Sequence, residues 1–195
     1  RDVAGRAFVR EFELIDVLRT RLAARRDDTR LGIGDDAAIL APLPHSELLV
    51  TTDTLIRDRH FPGDTSAFDI GYKAVAVNLS DIAAMGGAPA WLTVSLAAPE
   101  LDEQWCRSFV DGLVAACQAY PGDGPIDIVG GDTTRADQLM VTVTAIGHVP
   151  SGRAIRRSGA RVGDLIAVTG TLGDAAAGLV RWPQREPGAS ETDHL

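Results

Sequence analysis

The sequence predicts an α+β fold, on three observations. Stretches with the two-residue period of strands and stretches with the 3.6-residue period of helices are mixed along the chain rather than strictly alternating. Hydrophobic residues make up 45% and charged residues 24% of the 195 positions, which suits a folded chain with a sizeable core. There is no internal repeat, and no run approaches the ~18 apolar residues of a membrane-spanning helix.

Residues 8–24 read as a helix, because Phe8, Phe12, Ile15, Leu18 and Leu22 recur at three- and four-residue spacing. Residues 25–30 form a charged connection, and residues 31–36, broken by Gly32 and Gly34, read as a loop. A short strand over 37–40 ends before Pro42 and Pro44. Residues 47–55 read as a strand rich in Val, Leu and Thr. A long helix follows over 66–85, with Ser66 as its N-cap and Gly86-Gly87 as its stop. Ile70, Ala74, Val75, Val77, Leu79 and Ile82 spread around much of its circumference, which predicts burial on several sides. A strand over 90–97 leads to a helix from Asp102 to about Gln118. Residues 126–129 form a short strand running into Gly130-Gly131-Asp132, and 139–149 alternate as another strand. Residues 150–163 are rich in Arg and Gly and read as a linker. A strand over 164–169 and a helix over 173–180 follow, and the composition turns polar from Trp182.

The formal charge of −8 opposes nucleic acid and anionic membranes as partners. Eighteen of the basic residues are arginine and one is lysine, Lys73. Cys106 and Cys117 fall on one helix about 16 Å apart along its axis, too far for a disulfide, so they are free thiols suited to a reducing cytoplasm. The chain starts at Arg1, shows no secretory leader, and has the look of a fragment.

Carboxylates collect in one kind of place: at Asp35-Asp36, Asp53, Asp81 and Asp132 they sit among small or polar residues at or near the end of apolar elements. A carboxylate there takes either an arginine partner or a metal ion. Alternation along the strand puts Thr51 and Asp53 on one face, a pair of hard oxygen donors suited to Mg²⁺. Asn78 and Asp81 share a helix face. Gly130-Gly131 either lets backbone N–H groups approach a phosphate beside a metal on Asp132, or forms a turn. Phosphate-binding loops, dinucleotide fingerprints, zinc spacings and the serine elbow are all missing.

Several stretches together resemble the thiamine-monophosphate kinase family, in the superfamily of aminoimidazole ribonucleotide synthetase. They are Leu31-Gly32-Ile33-Gly34-Asp35-Asp36-Ala37-Ala38, Thr51-Thr52-Asp53-Thr54-Leu55 with His60-Phe61, and the run from Tyr72 to Gly86 containing Asn78-Leu79-Ser80-Asp81. Gly130-Gly131-Asp132-Thr133-Thr134-Arg135, Gly152-Arg153-Ala154-Ile155-Arg156-Arg157-Ser158-Gly159-Ala160 and Val168-Thr169-Gly170-Thr171-Leu172-Gly173-Asp174 complete the set. The resemblance implies a mixed α/β N-terminal domain over 1–150, whose sheet forms a barrel-like core in a homodimer, and the beginning of an incomplete C-terminal α+β domain over 151–195.

It also implies ATP-dependent phosphorylation of thiamine monophosphate to thiamine diphosphate, by direct in-line transfer assisted by several Mg²⁺ ions. Asp36, Thr51, Thr52 (through its backbone), Asp53, Asp81 and Asp132 match metal ligands. Gly131, Asp132 and Arg157 match ATP contacts, and His60 a contact to thiamine monophosphate. No covalent nucleophile is expected. His60 could instead pack beside Phe61, Lys73 could pair with a carboxylate, Asp35 could bond its own loop, and Asp174 could cap a helix. A related ATP-using synthetase and a non-catalytic nucleotide-binding or dimerisation module are the rival functions.

Overall fold

A computed structural model describes residues 24–99, 101–168 and 170–184. The helix expected over 8–24 lies outside the described residues, save Ala24, which is not helical. The chain divides into two compact units, Arg1–Ile155 and Arg156–Leu195.

In the first unit, β1 (Thr29–Leu31) and β2 (Ile39–Leu40) pair antiparallel. Then come β3 (Ser46–Ile56), α1 (Ala67–Ala84), β4 (Ala88–Ala98), α2 (Glu103–Ala119), β5 (Asp127–Arg135) and β6 (Met140–Pro150). The main sheet is mixed, in the order β3-β6-β4-β5, with β4 and β5 parallel and the other pairs antiparallel. Among the described residues the sheet is open, with β3 and β5 as its edges. The α+β class is as the sequence predicts.

Both helices start where side-chain oxygens receive their first free amides. Asp69 N donates to Ser66 Oγ at 3.1 Å, and the Ser66 hydroxyl donates to Asp69 Oδ2 at 2.6 Å. Trp105 N donates to Asp102 Oδ1 at 2.8 Å. The helices lie against each other, and α1 also lies on β3, β6 and β4. Two glycines permit this approach. A Cβ on Gly71 would sit 2.3 Å from Phe109 O, and one on Gly112 would sit 2.0 Å from Phe68 O. Ile70, Ala74, Val75 and Ile82 of α1 join Phe109 and Leu113 of α2 and Val141, Val143 and Ala145 of β6 in the main core. Each of these apolar groups stabilises the fold by roughly 25 cal/mol per Å² removed from water.

The far side of the sheet carries a smaller core. Trp91, Ala90 and Val129 are buried there, with Ala38, Leu40 and Ile146 packed on them. A polar anchor holds the segment leading into β1. Buried Asp127 accepts from the amides of Arg25 and Arg26 at 2.9 and 3.1 Å, and from the Thr29 hydroxyl at 2.7 Å. Trp91 Nε1 donates to Thr29 Oγ1 at 2.9 Å. The Arg26 guanidinium stacks over Trp91, 5.4 Å from the ring centre, and grips Asp28 with two 2.7 Å bonds.

Two expectations need correction. The stretch Gly130-Gly131-Asp132-Thr133-Thr134 is not a turn after a strand but the continuation of β5, paired with Thr93 to Ala97 of β4. A Cβ on Gly131 would overlap Val94 O at 1.8 Å, so glycine here serves the strand pairing itself. In the second unit, residues 164–168 form no strand. Leu165 and Ile166 stand almost fully exposed, and no described strand lies alongside to complete their backbone hydrogen bonds. The helix expected there is present as α3 (Asp174–Arg181), followed by a 3₁₀ turn, Trp182–Gln184. Its N-cap is Gly173, in the left-handed region at φ +97°, so Asp174 is a first-turn residue rather than the cap.

Candidate functional site

The strand β3 and the helix α1 bring the first predicted residues together. Thr51 Oγ1 donates to Asp81 Oδ2 at 2.7 Å. Thr51 and Asp53 are two apart on β3 and share the face that packs on α1, along with buried Leu55. Asp53 is half-buried, and among the described residues its carboxylate takes no hydrogen bond or ion pair. Asp81 is exposed, on the last turn of α1. Three residues earlier, Asn78 is fully buried; its Nδ2 donates to Ala74 O at 2.9 Å and its Oδ1 has no partner among the described residues. Thr52 points to the other face, where its hydroxyl pairs with that of Thr144 at 2.9 Å.

The other predicted ligands are not gathered with these within one chain. Asp36 is exposed in the turn between β1 and β2, and its amide donates to Asp35 Oδ1 at 2.8 Å, so Asp35 does bond its own loop. Gly131 lies in one row with Val94, Val143 and Asp53, and Asp132 in the next row. That row spans the whole sheet: three interstrand spacings of about 4.8 Å separate β3 from β5, about 14 Å in all. Among the described residues no three His, Cys, Asp or Glu side chains converge as a metal site. Arg157 belongs to the second unit and is exposed.

His60 sits in the loop between β3 and α1. Its Nδ1 accepts from Ile56 N at 3.0 Å, and its carbonyl accepts from Lys73 Nζ at 2.8 Å. Lys73 therefore pairs with a carbonyl, not with the carboxylate expected. Phe61, beside His60, is buried in the main core, while the His60 ring stays exposed.

Burial pushes the thiols of Cys106 and Cys117 up to about 11 and about 12, aided at Cys106 by Asp102 and Glu103 and at Cys117 by Asp127. Both cysteines are free and behave as core residues. An open depression of about 690 Å³ at the start of α2 is lined by Asp102, Glu103, Gln104, Arg107, Ser108, Asp111 and Phe68, none of them a predicted site residue.

Residues 34–149 match the family described as AIR synthase related protein, N-terminal domain. The chain belongs to this family. Among curated proteins it is similar to the thiamine-monophosphate kinase of Salmonella typhimurium, 47% identical over 94% of this chain and 55% of the relative. It is 42% identical to that of Bacillus subtilis, over 87% of this chain and 51% of the relative. The chain thus spans about half the length of the curated relatives it matches.

A crystal structure of the thiamine-monophosphate kinase from Stenotrophomonas maltophilia superposes with a TM-score of 0.78 at 51% identity, covering 91% of this chain and 54% of that one. A structure of AaThiL complexed with AMPPCP and TMP superposes at 0.68 with 34% identity, covering 92% of this chain and 54% of that one. Escherichia coli HypE, at 22% identity and a TM-score of 0.72, shares the fold. The mixed α/β architecture expected from the family resemblance is the one observed.

Proposed function

We propose that the complete protein transfers the γ-phosphoryl group of ATP to thiamine monophosphate, giving thiamine diphosphate. One observation carries the reading: the Thr51 hydroxyl is bonded to the Asp81 carboxylate beside Asp53, an all-oxygen set suited to a small divalent cation. The names of its relatives and the AaThiL complex with AMPPCP and TMP support it.

The donor set fits Mg²⁺. Asp53, Asp81 and Thr51 would hold it, with Thr52 through its backbone and Asp36 and Asp132 completing the ligands. Mg²⁺, when bound, neutralises charge between two phosphorylated reactants and at the transferring group. The chain's own residues do the rest. Thr51 fixes one oxygen of Asp81 and leaves the other free. Gly131, on the strand β5, would contact a nucleotide phosphate. Arg157 supplies a permanent cation for ATP. His60 contacts thiamine monophosphate. Transfer is direct and in-line, without a covalent nucleophile.

The width of the sheet, about 14 Å from Asp53 on β3 to Gly131 on β5, argues for a homodimer. Both lie on strands at the open edges of the sheet, and edge-to-edge pairing of two copies would bring β5 of one toward β3 of the other. Such pairing would also form the barrel-like core. Residues 1–150 are then the Mg²⁺–ATP and dimerisation domain, and 151–195 begin the next domain. The two free thiols suit a cytoplasmic location.

The test is the complete protein incubated with ATP, Mg²⁺ and thiamine monophosphate, with product separated by chromatography. Thiamine diphosphate is expected. Its absence with Mg²⁺ present overturns the kinase reading; Mg²⁺–ATP binding without turnover would point to a binding module, and consumption of ATP with a different acceptor to a synthetase.

A further inference from the structure

The loop between β3 and α1 has a rigid frame. Arg59 N and His60 N both donate to Ile56 O, at 3.1 and 2.9 Å, and Asp58 N donates to Phe61 O at 2.9 Å. Asp58 takes the left-handed conformation, φ +61°, that closes this turn. The Arg57 guanidinium donates to Gly63 O, and Gln138 Nε2 donates to Arg57 O at 3.1 Å. These contacts set the shape of the loop. Its placement against α1 rests on buried Phe61 and on the Lys73 ammonium bonded to His60 O.

The same geometry fixes the imidazole. Nδ1 accepts a hydrogen bond from Ile56 N, so in the neutral ring the proton is carried by Nε2. Nε2 has no partner among the described residues. The ring is thus presented as a donor, held at its other nitrogen by the backbone and at its own carbonyl by Lys73. Lys73 and Asp81 lie on one helix, eight residues or about 12 Å apart along the axis. A change in the Lys73 contact therefore alters where His60 sits relative to the carboxylate end of the same helix.

We infer that Lys73 is a positioning residue: it holds His60 as an Nε2 hydrogen-bond donor toward the phosphate-bearing acceptor, and does not itself grip ATP. The inference rests on the substrate role proposed for His60. It assigns the chain's single lysine to acceptor specificity, leaving the nucleotide to other groups.

The test uses the complete protein and the variants Lys73→Met and Lys73→Arg. Methionine keeps the unbranched apolar stem and removes the donor; arginine keeps a cation with N–H donors. Lys73→Met should raise KM for thiamine monophosphate about tenfold, with KM for ATP and kcat within twofold of the parent. Lys73→Arg should recover to within about threefold. Long-range ¹H–¹⁵N spectra of the imidazole rings, with His60 assigned by its loss in His60→Asn, should show the Nε2–H form in the parent and in Lys73→Arg.

Unchanged KM for thiamine monophosphate in Lys73→Met, an equal rise in KM for ATP, or an Nδ1–H signature in the parent overturns the inference. Should Lys73→Met fail to fold, the decision falls to Lys73→Gln, where an unchanged KM for thiamine monophosphate overturns the inference and a rise confined to that substrate supports it. If the parent makes no thiamine diphosphate, the kinase reading itself fails, and the imidazole spectrum still decides whether the His60 geometry is correct.

Discussion

Thr51 on β3 and Asp81 on the last turn of α1 are joined by a 2.7 Å hydrogen bond in which the hydroxyl donates to the carboxylate. The bond crosses thirty residues of sequence and ties the strand that carries Asp53 to the helix that carries Asp81. It leaves one Asp81 oxygen and the whole Asp53 carboxylate without a described partner on the same side of the sheet.

Thr51→Val tests that bond. Valine keeps the β-branched shape that suits a strand and removes only the donor. Asp81 is exposed, so water replaces the lost bond and the stability cost should stay below about 1 kcal/mol. Metal-assisted nucleotide binding should suffer more. The Mg²⁺ concentration that gives half-maximal ATP binding, measured by calorimetry on the complete protein, should rise about tenfold. An unchanged value would separate Thr51 from the metal site.

Asp53→Asn removes a charge but keeps the shape. The parent carboxylate has no described partner, so folding should be nearly indifferent, within about 0.5 kcal/mol in urea unfolding. Mg²⁺-dependent ATP binding should weaken markedly, while any Mg²⁺-independent component stays. Normal binding by the folded variant would refute a metal role for Asp53.

What could be read from the sequence was what depends on near neighbours. Ser66 as the cap of α1 follows from a hydroxyl before an apolar-periodic run, and Thr51 and Asp53 share a face because alternation is local. The Thr51–Asp81 contact depends on where a helix lands on a strand, which no short motif specifies. Asp127 could not be recognised as an anchor, because its partners Arg25, Arg26 and Thr29 lie about a hundred residues away. Gly130-Gly131 has the composition of a turn, yet pairing with β4 carries the strand through it, and local preference yields to the sheet. The separation of Asp53 from Asp132 follows only from the strand order β3-β6-β4-β5, a property of topology.

The crossing of α1 and α2 makes a stability prediction. A methyl group at Gly112 would stand 2.0 Å from Phe68 O, and that obstacle is backbone, which cannot rotate away. Gly112→Ala should destabilise the domain by about 2–3 kcal/mol, in the range of overpacked cores, despite alanine's better helix propensity. At Gly178, inside α3, a methyl group would meet no described residue within 4 Å. There Gly178→Ala should be neutral or stabilising by up to about 1 kcal/mol. Urea midpoints of the two variants should move in opposite directions, or Gly112 alone should move; equal behaviour would refute the close crossing.

His148 predicts a pH dependence of stability. It is buried against the edge of Trp91, with ring centres 4.9 Å apart, and among the described residues its Nε2 makes no hydrogen bond. Burial, and then the nearby Arg26 charge, hold its proton affinity below the ordinary histidine value, with Asp28 opposing them at 3.9 Å. The unfolded chain, with an ordinary histidine near pH 6.5, therefore binds more protons than the folded one as the pH falls below that value. Stability from this group is complete above about pH 6.5 and is lost as the pH falls toward the folded value. Asp28, lowered chiefly by its bonds to Arg26, titrates below its ordinary 3.8 and so acts in a separate, more acid window. Urea unfolding at pH 7.5 and 5.5 should show the parent losing stability across that interval. His148→Gln, less stable at pH 7.5, should lose less on acidification. Parallel losses in parent and variant would place the acid sensitivity in groups other than His148.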